Sequence, residues 1–210
     1  MTEGRHLSRL VLGILICLVL PLAGCDNGPS LRPLAPDAVI LAFGDSLTYG
    51  TGGGENGSYP VQLAGLSGLK VINSGVPGEI SRSGLVRLSQ VLLEVQPQLV
   101  ILCHGGNDML RHMDRAELKS NLNGMIDLIR DSGADVILIG VPSPGLLPGP
   151  PPLYADLAKA WDIPYQGEVL AELLTDAEMK SDAVHPNAAG YRRMAEAILE
   201  LMRKAKALAT

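Results

Sequence analysis

A chain of 210 residues, 47% hydrophobic and 19% charged, has the size and core-forming composition of one globular domain. Its net charge of −5 and the lack of any basic patch speak against nucleic acid as a partner. Aromatic residues make up only 3%, with one Trp and one Phe, which argues against a base-stacking surface or a carbohydrate platform built on several rings.

In chain order, residues 1–24 read as an export signal rather than as fold. Arg5 and Arg9 form a positive start, Leu10 to Leu20 is an apolar run, and Pro21 closes it. Eleven residues are too few for a membrane-spanning helix, which needs about 20. Leu22-Ala23-Gly24-Cys25 then resembles the lipobox of bacterial lipoproteins. That resemblance implies cleavage before Cys25 and lipidation of its sulfur; the other reading is an ordinary export signal that contains a Cys. On the lipobox reading the mature chain is exported and lipid-anchored to a bacterial membrane, facing the periplasm or the cell exterior, because two or more acyl chains anchor stably. Losing Arg5, Arg9 and Glu3 moves the net charge from −5 to −6. Cys17 leaves with the signal and Cys25 takes the lipid, so Cys103 is left alone and no internal disulfide is expected. Cys103 ends an apolar run and reads as a small buried hydrophobe.

Residues 25–37 carry three prolines and little periodicity, and read as the lipidated Cys followed by a short spacer. The domain is expected over residues 38–210. Short apolar runs at Ala38–Phe43, Lys70–Ile72, Leu99–Cys103 and Val136–Val141 predict strands. Helical spacing falls between them at Tyr59–Leu66, Ile80–Val95 and Ala116–Arg130, and again at Ala188–Ala207. Strands alternating with helices predict a parallel sheet covered on both faces, a three-layer α/β/α domain.

Polar residues gather after the strands: Gly44-Asp45-Ser46-Leu47, then Asn73 to Ser81, then His104-Gly105-Gly106-Asn107-Asp108. In open parallel sheets ligands bind beyond the carboxyl ends of the strands. A lone Ser at a helix start is usually a cap. As a nucleophile it needs a base, and the base needs an orienter. After residue 24 the chain has three histidines, His104, His112 and His185. His185 stands three residues after Asp182, in Ser181-Asp182-Ala183-Val184-His185-Pro186-Asn187. An Asp so placed can turn back to accept the Nδ1 proton, which leaves Nε2 free to take the proton of a serine.

Phe43-Gly44-Asp45-Ser46-Leu47, Gly78, Gly105-Gly106-Asn107-Asp108 and Asp182-x-x-His185-Pro186-Asn187 together resemble the SGNH (GDSL) hydrolases, nearest to small bacterial arylesterases, thioesterases and lysophospholipases. The resemblance implies a flavodoxin-like sheet and a small-molecule acyl ester substrate, with no cofactor or metal. It implies Ser46 as nucleophile, His185 as base and then acid, and Asp182 as its orienter. The implied oxyanion hole is the N–H of Ser46, the N–H of Gly78 and the side-chain amide of Asn107. Asn73 and Gly75 compete with Gly78 for its place, and Asp45 and Asp108 read as structural partners of the loops. Two other activities stay open: an O-deacetylase of polysaccharide or peptidoglycan, and a lipoprotein that binds an acyl ligand without turnover. The chain departs from the commoner family pattern in carrying Ala183 where many members have Gly.

Three further patterns are weaker. Gly52 to Gly57 satisfies Gly-x-Gly-x-x-Gly but opens no helix and has no acidic residue about 20 positions on, so it reads as a flexible lip beside Ser46. His104, Asp108 and His112 stand at intervals of four, yet Gly105-Gly106 argues against the helix that would bring them to one metal. Pro142 to Tyr154 holds six prolines together with Leu146, Leu147, Leu153 and Tyr154. It is expected to pack as a rigid apolar wall for an acyl or aryl group, or else to be a surface loop.

Overall fold

The computed structural model describes residues 28–145 and 149–208. The export segment, Cys25, Leu146 and Leu147 lie outside the described residues. Strands form where the apolar runs fall: β1 (Val39–Gly44), β2 (Lys70–Gly75), β3 (Leu99–Cys103) and β4 (Asp135–Ile139). A two-residue strand, β5 (Tyr165–Gln166), joins the edge. All pairings are parallel in the order β2-β1-β3-β4-β5, which is the flavodoxin-like order. Every residue of β3 and β4 is buried, as is β1 after Val39, so these strands read as continuous apolar runs rather than alternating ones. Each fully buried Ile or Leu there contributes about 1.5–3 kcal/mol.

The short helix α1 (Ser46–Tyr49) follows β1 directly, and α2 (Tyr59–Ser67) leads to β2. Next come α3 (Ser81–Val95), a short α4 (Gly106–Leu110), α5 (Arg115–Asp131), α6 (Pro152–Trp161), α7 (Val169–Thr175) and α8 (Ala188–Lys204). Helices α2, α7 and α8 pack together over one face of the sheet, and α3, α5 and α6 over the other. Helix α8 shows why the layers hold. Tyr191, Met194, Ala195, Ile198 and Met202 all lie on its inner stripe and are buried, while Arg192, Arg193 and Glu196 pair on the outside.

The register sets where the loops emerge. Gly44 pairs with Gly75 on one side and with Cys103 on the other, so β1, β2 and β3 end level. The loops carrying Ser46, Gly78 and Asn107 therefore leave the same rim. That rim lies at the switch point between β1 and β3, where the chain winds to opposite sides.

The stretch read as a spacer follows a bound path. Leu31 and Leu34 donate their N–H groups to the carbonyls of Ala205 and Ala207, both at 2.8 Å. Arg32 gives Asp135 two hydrogen bonds, from its N–H at 2.9 Å and its Nε at 3.1 Å. Asp135 is the first residue of β4, so this strap crosses the end of the sheet opposite the Ser46 rim. Its ties are mainly backbone bonds, which leave no side-chain periodicity to read.

Candidate active site

Ser46 opens α1 at the end of β1. Asp45 precedes it as the cap, its Oδ1 accepting the Leu47 N–H at 3.1 Å. As the first residue of a helix, Ser46 has no intrahelical acceptor for its own N–H. Asp45 is buried, and that burial pushes its carboxyl above the usual value. Cys103 is wholly buried at the end of β3, and burial drives its thiol well up, so it is no nucleophile.

His185 reaches Ser46 across 139 positions of chain. Its Nε2 lies 2.9 Å from Ser46 Oγ, and its Nδ1 lies 2.8 Å from Asp182 Oδ2. With Nδ1–H donating to the carboxylate, Nε2 faces the hydroxyl as the acceptor. The Asp182-x-x-His185 loop holds itself in shape. Asp182 Oδ1 accepts the N–H groups of Val184 and His185, each at 2.8 Å, and Ser181 N–H returns to the His185 carbonyl at 2.9 Å. Asn187 caps α8 through the Gly190 N–H at 3.0 Å and so fixes the loop to the helix behind it. Partial burial works to raise the Asp182 pKa. The hydrogen bonds from the His185 ring and from the N–H groups of Val184 and His185 outweigh it, and the carboxyl sits below its ordinary value.

The glycine stretch from Gly52 is packed at Gly52, Gly53 and Gly57 and open at Gly54–Asn56. A Cβ on Gly52 would overlap the Ser181 Oγ, so the backbone of this loop lies directly against the His185 loop. Tyr191 of α8 adds a hydrogen bond to the Thr51 carbonyl at 2.9 Å.

Ser46, Asn107 and His185 line one cavity of about 390 Å³ at the rim, a size within the ordinary range for small-molecule sites. Leu47, Leu110, Val141, Pro142, Pro144, Leu174 and Val184 give it apolar walls. The proline-rich stretch thus contributes its first part, residues 142–145, to the wall. Its last part does not line the cavity: Leu153 and Tyr154 belong to α6 and are buried in the core. Proline drove the reading of a loop there, yet Pro152 sits at the start of α6, where proline suits a helix.

Gly78 lies on the turn that follows β2, next to the residue whose carbonyl holds Asn107. Val76-Pro77-Gly78-Glu79 forms a type II turn closed by the Glu79 N–H on the Val76 carbonyl at 3.1 Å, with φ +78° at Gly78. Gly78 is exposed on that turn, outside the cavity lining. Its two competitors have structural tasks. The Asn73 side chain binds the Gly75 N–H at 3.0 Å, and a Cβ on Gly75 would overlap the backbone of Tyr49.

Asn107 donates Nδ2–H to the Glu79 carbonyl at 3.0 Å; its second hydrogen meets Asp45 Oδ2 only at 3.4 Å, a long contact that leaves it free for a stronger acceptor. Asp108 is a loop partner, its carboxylate accepting the N–H and Oγ–H of Ser81 at 2.8 and 2.6 Å.

Sequence reasoning missed a buried group behind the rim. Glu79 carries an Arg87 fork through Oε1 at 2.8 Å and Oε2 at 2.7 Å, and His104 Nε2 lies 3.2 Å from the same Oε2. Burial alone would raise the Glu79 pKa, but bonds from His104 and Arg87 lower it to about 2. The Glu79 carboxylate is therefore ionised across neutral and mildly acidic pH. The 104/108/112 spacing found no common target, because His104 faces Glu79 and Asp108 faces Ser81.

A serine hydroxyl against an imidazole, itself against a carboxylate, is the equipment of nucleophilic acyl transfer. The chain is similar to known ester hydrolases. Residues 42–193 match the GDSL-like Lipase/Acylhydrolase family. Esterase TesA of Pseudomonas aeruginosa is 31% identical over 195 residues, covering 84% of this chain and 94% of that protein. The arylesterase of Vibrio mimicus is 31% identical over 175 residues, covering 77% and 86%. Thioesterase 1/protease 1/lysophospholipase L1 of Escherichia coli K12 is 27% identical over 166 residues, covering 75% and 79%. Among solved structures, AlinE4, an SGNH-hydrolase family esterase, aligns with a TM-score of 0.60 at 30% identity, covering 82% of this chain and 98% of that one. The chain belongs to the GDSL-like lipase/acylhydrolase family and is a serine ester hydrolase of the SGNH type.

Proposed function

We propose that the chain hydrolyses aryl and short-to-medium acyl esters, with thioesters and lysophospholipids as further substrates, through an acyl-enzyme on Ser46. The observation that carries this reading is the 2.9 Å contact of Ser46 Oγ with His185 Nε2 in the lining of a cavity with apolar walls. Ser46 Oγ attacks the carbonyl carbon as its proton passes to His185 Nε2. Negative charge collects on the carbonyl oxygen and is met by the Ser46 N–H and the Asn107 amide, with the Gly78 N–H as a third donor from the exposed turn whose Glu79 carbonyl holds Asn107. These are neutral donors fixed in advance, so they favour the transition state over the substrate. His185 then protonates the leaving alcohol or thiol, and water repeats the sequence to free the acid. The carboxylate of Asp182 holds the tautomer and stabilises the imidazolium.

The apolar walls suit an acyl chain, whereas a glycan would call for stacking rings, and among the described residues no Phe, Tyr or Trp lines the cavity. The polysaccharide deacetylase reading is set behind the ester reading for that reason. Lipid anchoring through Cys25 is proposed on the sequence alone; the strap at Leu31–Leu34 would then bring the anchor to the pole opposite Ser46.

Leu174 at the end of α7 offers the test of the acyl site. Leu174→Trp should fill the cavity, lowering kcat/KM for p-nitrophenyl decanoate by about tenfold or more and for the acetate by less than about twofold. Equal losses on both esters would place the acyl chain elsewhere.

A further inference from the structure

The Glu79–Arg87–His104 cluster has no place in the proton relay, yet it touches every loop that bears a proposed oxyanion donor. From α3, the Arg87 guanidinium binds Glu79 through both oxygens and Ser74 through its Oγ at 2.6 Å and its carbonyl at 3.1 Å. A longer contact of 3.5 Å reaches the Gly44 carbonyl, two residues before Ser46. The same guanidinium lies over the Phe43 ring at 4.2 Å. Glu79 directly follows Gly78, and its carbonyl holds Asn107 Nδ2 at 3.0 Å.

His104 closes the set from β3. The ring is fully buried; its Nδ1 accepts the Gly105 N–H at 2.9 Å, which leaves Nε2–H to donate to Glu79. A Cβ on Gly84 of α3 would overlap His104 Nε2, so the helix approaches the ring closely enough to lock it. Buried ion pairs add little net stability over well-packed apolar residues. A pair forked across three strand ends offers geometry that apolar packing would not.

We propose that Glu79, Arg87 and His104 form a positioning network that holds the Gly78 N–H and the Asn107 amide in register with Ser46 for oxyanion binding. This rests on the acyl-transfer reading above. The network touches neither substrate nor the reacting atoms: Arg87 ties the turn bearing Gly78 to the end of β2 at Ser74 and lies beside the end of β1 at Phe43 and Gly44, and the Glu79 carbonyl aims Asn107. His104 steadies the Glu79 carboxylate from behind while its own chain leads into Gly105-Gly106-Asn107.

The test is a set of variants assayed with p-nitrophenyl acetate, with unfolding midpoints measured alongside. Arg87→Met keeps an unbranched aliphatic side chain but removes the fork and the guanidinium over Phe43; Glu79→Gln is nearly isosteric and guards against an Arg87 variant that does not fold. Each should lower kcat by about 10- to 100-fold, as small displacements of catalytic groups do, with KM within about threefold. Arg87→Lys should restore little, since an ammonium cannot make the fork. In an Asn107→Ala background the same changes should cost several-fold less than in the parent protein, because one of the two groups they position is gone. A loss of equal size in both backgrounds, or a lower midpoint with unchanged kcat, would overturn the network. An Asn107→Ala protein with full activity would instead overturn the oxyanion assignment on which the proposal rests.

Discussion

Replacing Ser46 by Ala should lower kcat/KM for p-nitrophenyl acetate by about 10⁴- to 10⁶-fold. Among the described residues the nearby alternatives lack a base: Cys103 is buried and its thiol strongly disfavours ionisation, Ser143 is bonded to the Met109 sulfur, and Thr175 donates to the Glu172 carbonyl. The residual rate would come from the oxyanion donors and from binding alone. The fold should persist. Ser46 contributes one side-chain hydrogen bond, to His185. Such a bond is worth about 1 kcal/mol, a shift in Tm of about 2–4 °C for a chain of this size. A variant that keeps its Tm and retains more than about a tenth of the activity would exclude an acyl-enzyme on Ser46.

Asp182→Asn should be nearly as damaging, about 10³- to 10⁴-fold in kcat. Asn can still accept the Val184 and His185 N–H groups through its oxygen, so the loop keeps its shape. Its Nδ2–H₂ would face His185 Nδ1 where a carboxylate oxygen now lies at 2.8 Å. Two donors cannot meet there. The imidazole proton therefore moves to Nε2, which then faces Ser46 as a donor and cannot take its proton. The Asp182 side chain is 52% exposed, so water can relieve part of this loss, and the expected effect lies below that of Ser46→Ala. Steady-state kinetics with KM resolved from kcat checks it; a loss under about tenfold would remove Asp182 from the relay.

The central strands were legible because both faces of the sheet are covered. Leu99–Cys103 and Val136–Ile139 are unbroken apolar runs, and only burial on both sides tolerates that. β5 was not legible: two residues carry no period, and Tyr165–Gln166 joins the sheet only through its neighbour β4. Helix α6 was hidden by proline, since a run of Pro150-Pro151-Pro152 signals a loop to a reader of composition even where its last member begins a helix.

The relay residues could be read from sequence because the Asp182-x-x-His185 contact is local. A turn of three residues brings the carboxylate to Nδ1, and the pattern states it in one place. Glu79, Arg87 and His104 come from a turn, a helix and a strand end, and their meeting depends on the register of β1 against β2 and β3. No spacing in the chain announces that. His104 drew notice as one of three histidines after residue 24, in the polar block after β3, and through its interval to Asp108 and His112, a regularity the fold does not use. Gly78 shows the opposite case. The Pro77-Gly78 pair announces a type II turn clearly, and the turn alone accounts for the glycine's positive φ.

The most direct test of the Ser46–His185 relay is covalent labelling with a fluorophosphonate at neutral pH, followed by intact mass and peptide mapping. The relay predicts one phosphonyl adduct, located on Ser46, absent in Ser46→Ala and formed about 10²-fold or more slowly in His185→Ala. An adduct on another residue, or labelling of Ser46 at an undiminished rate without His185, would contradict it.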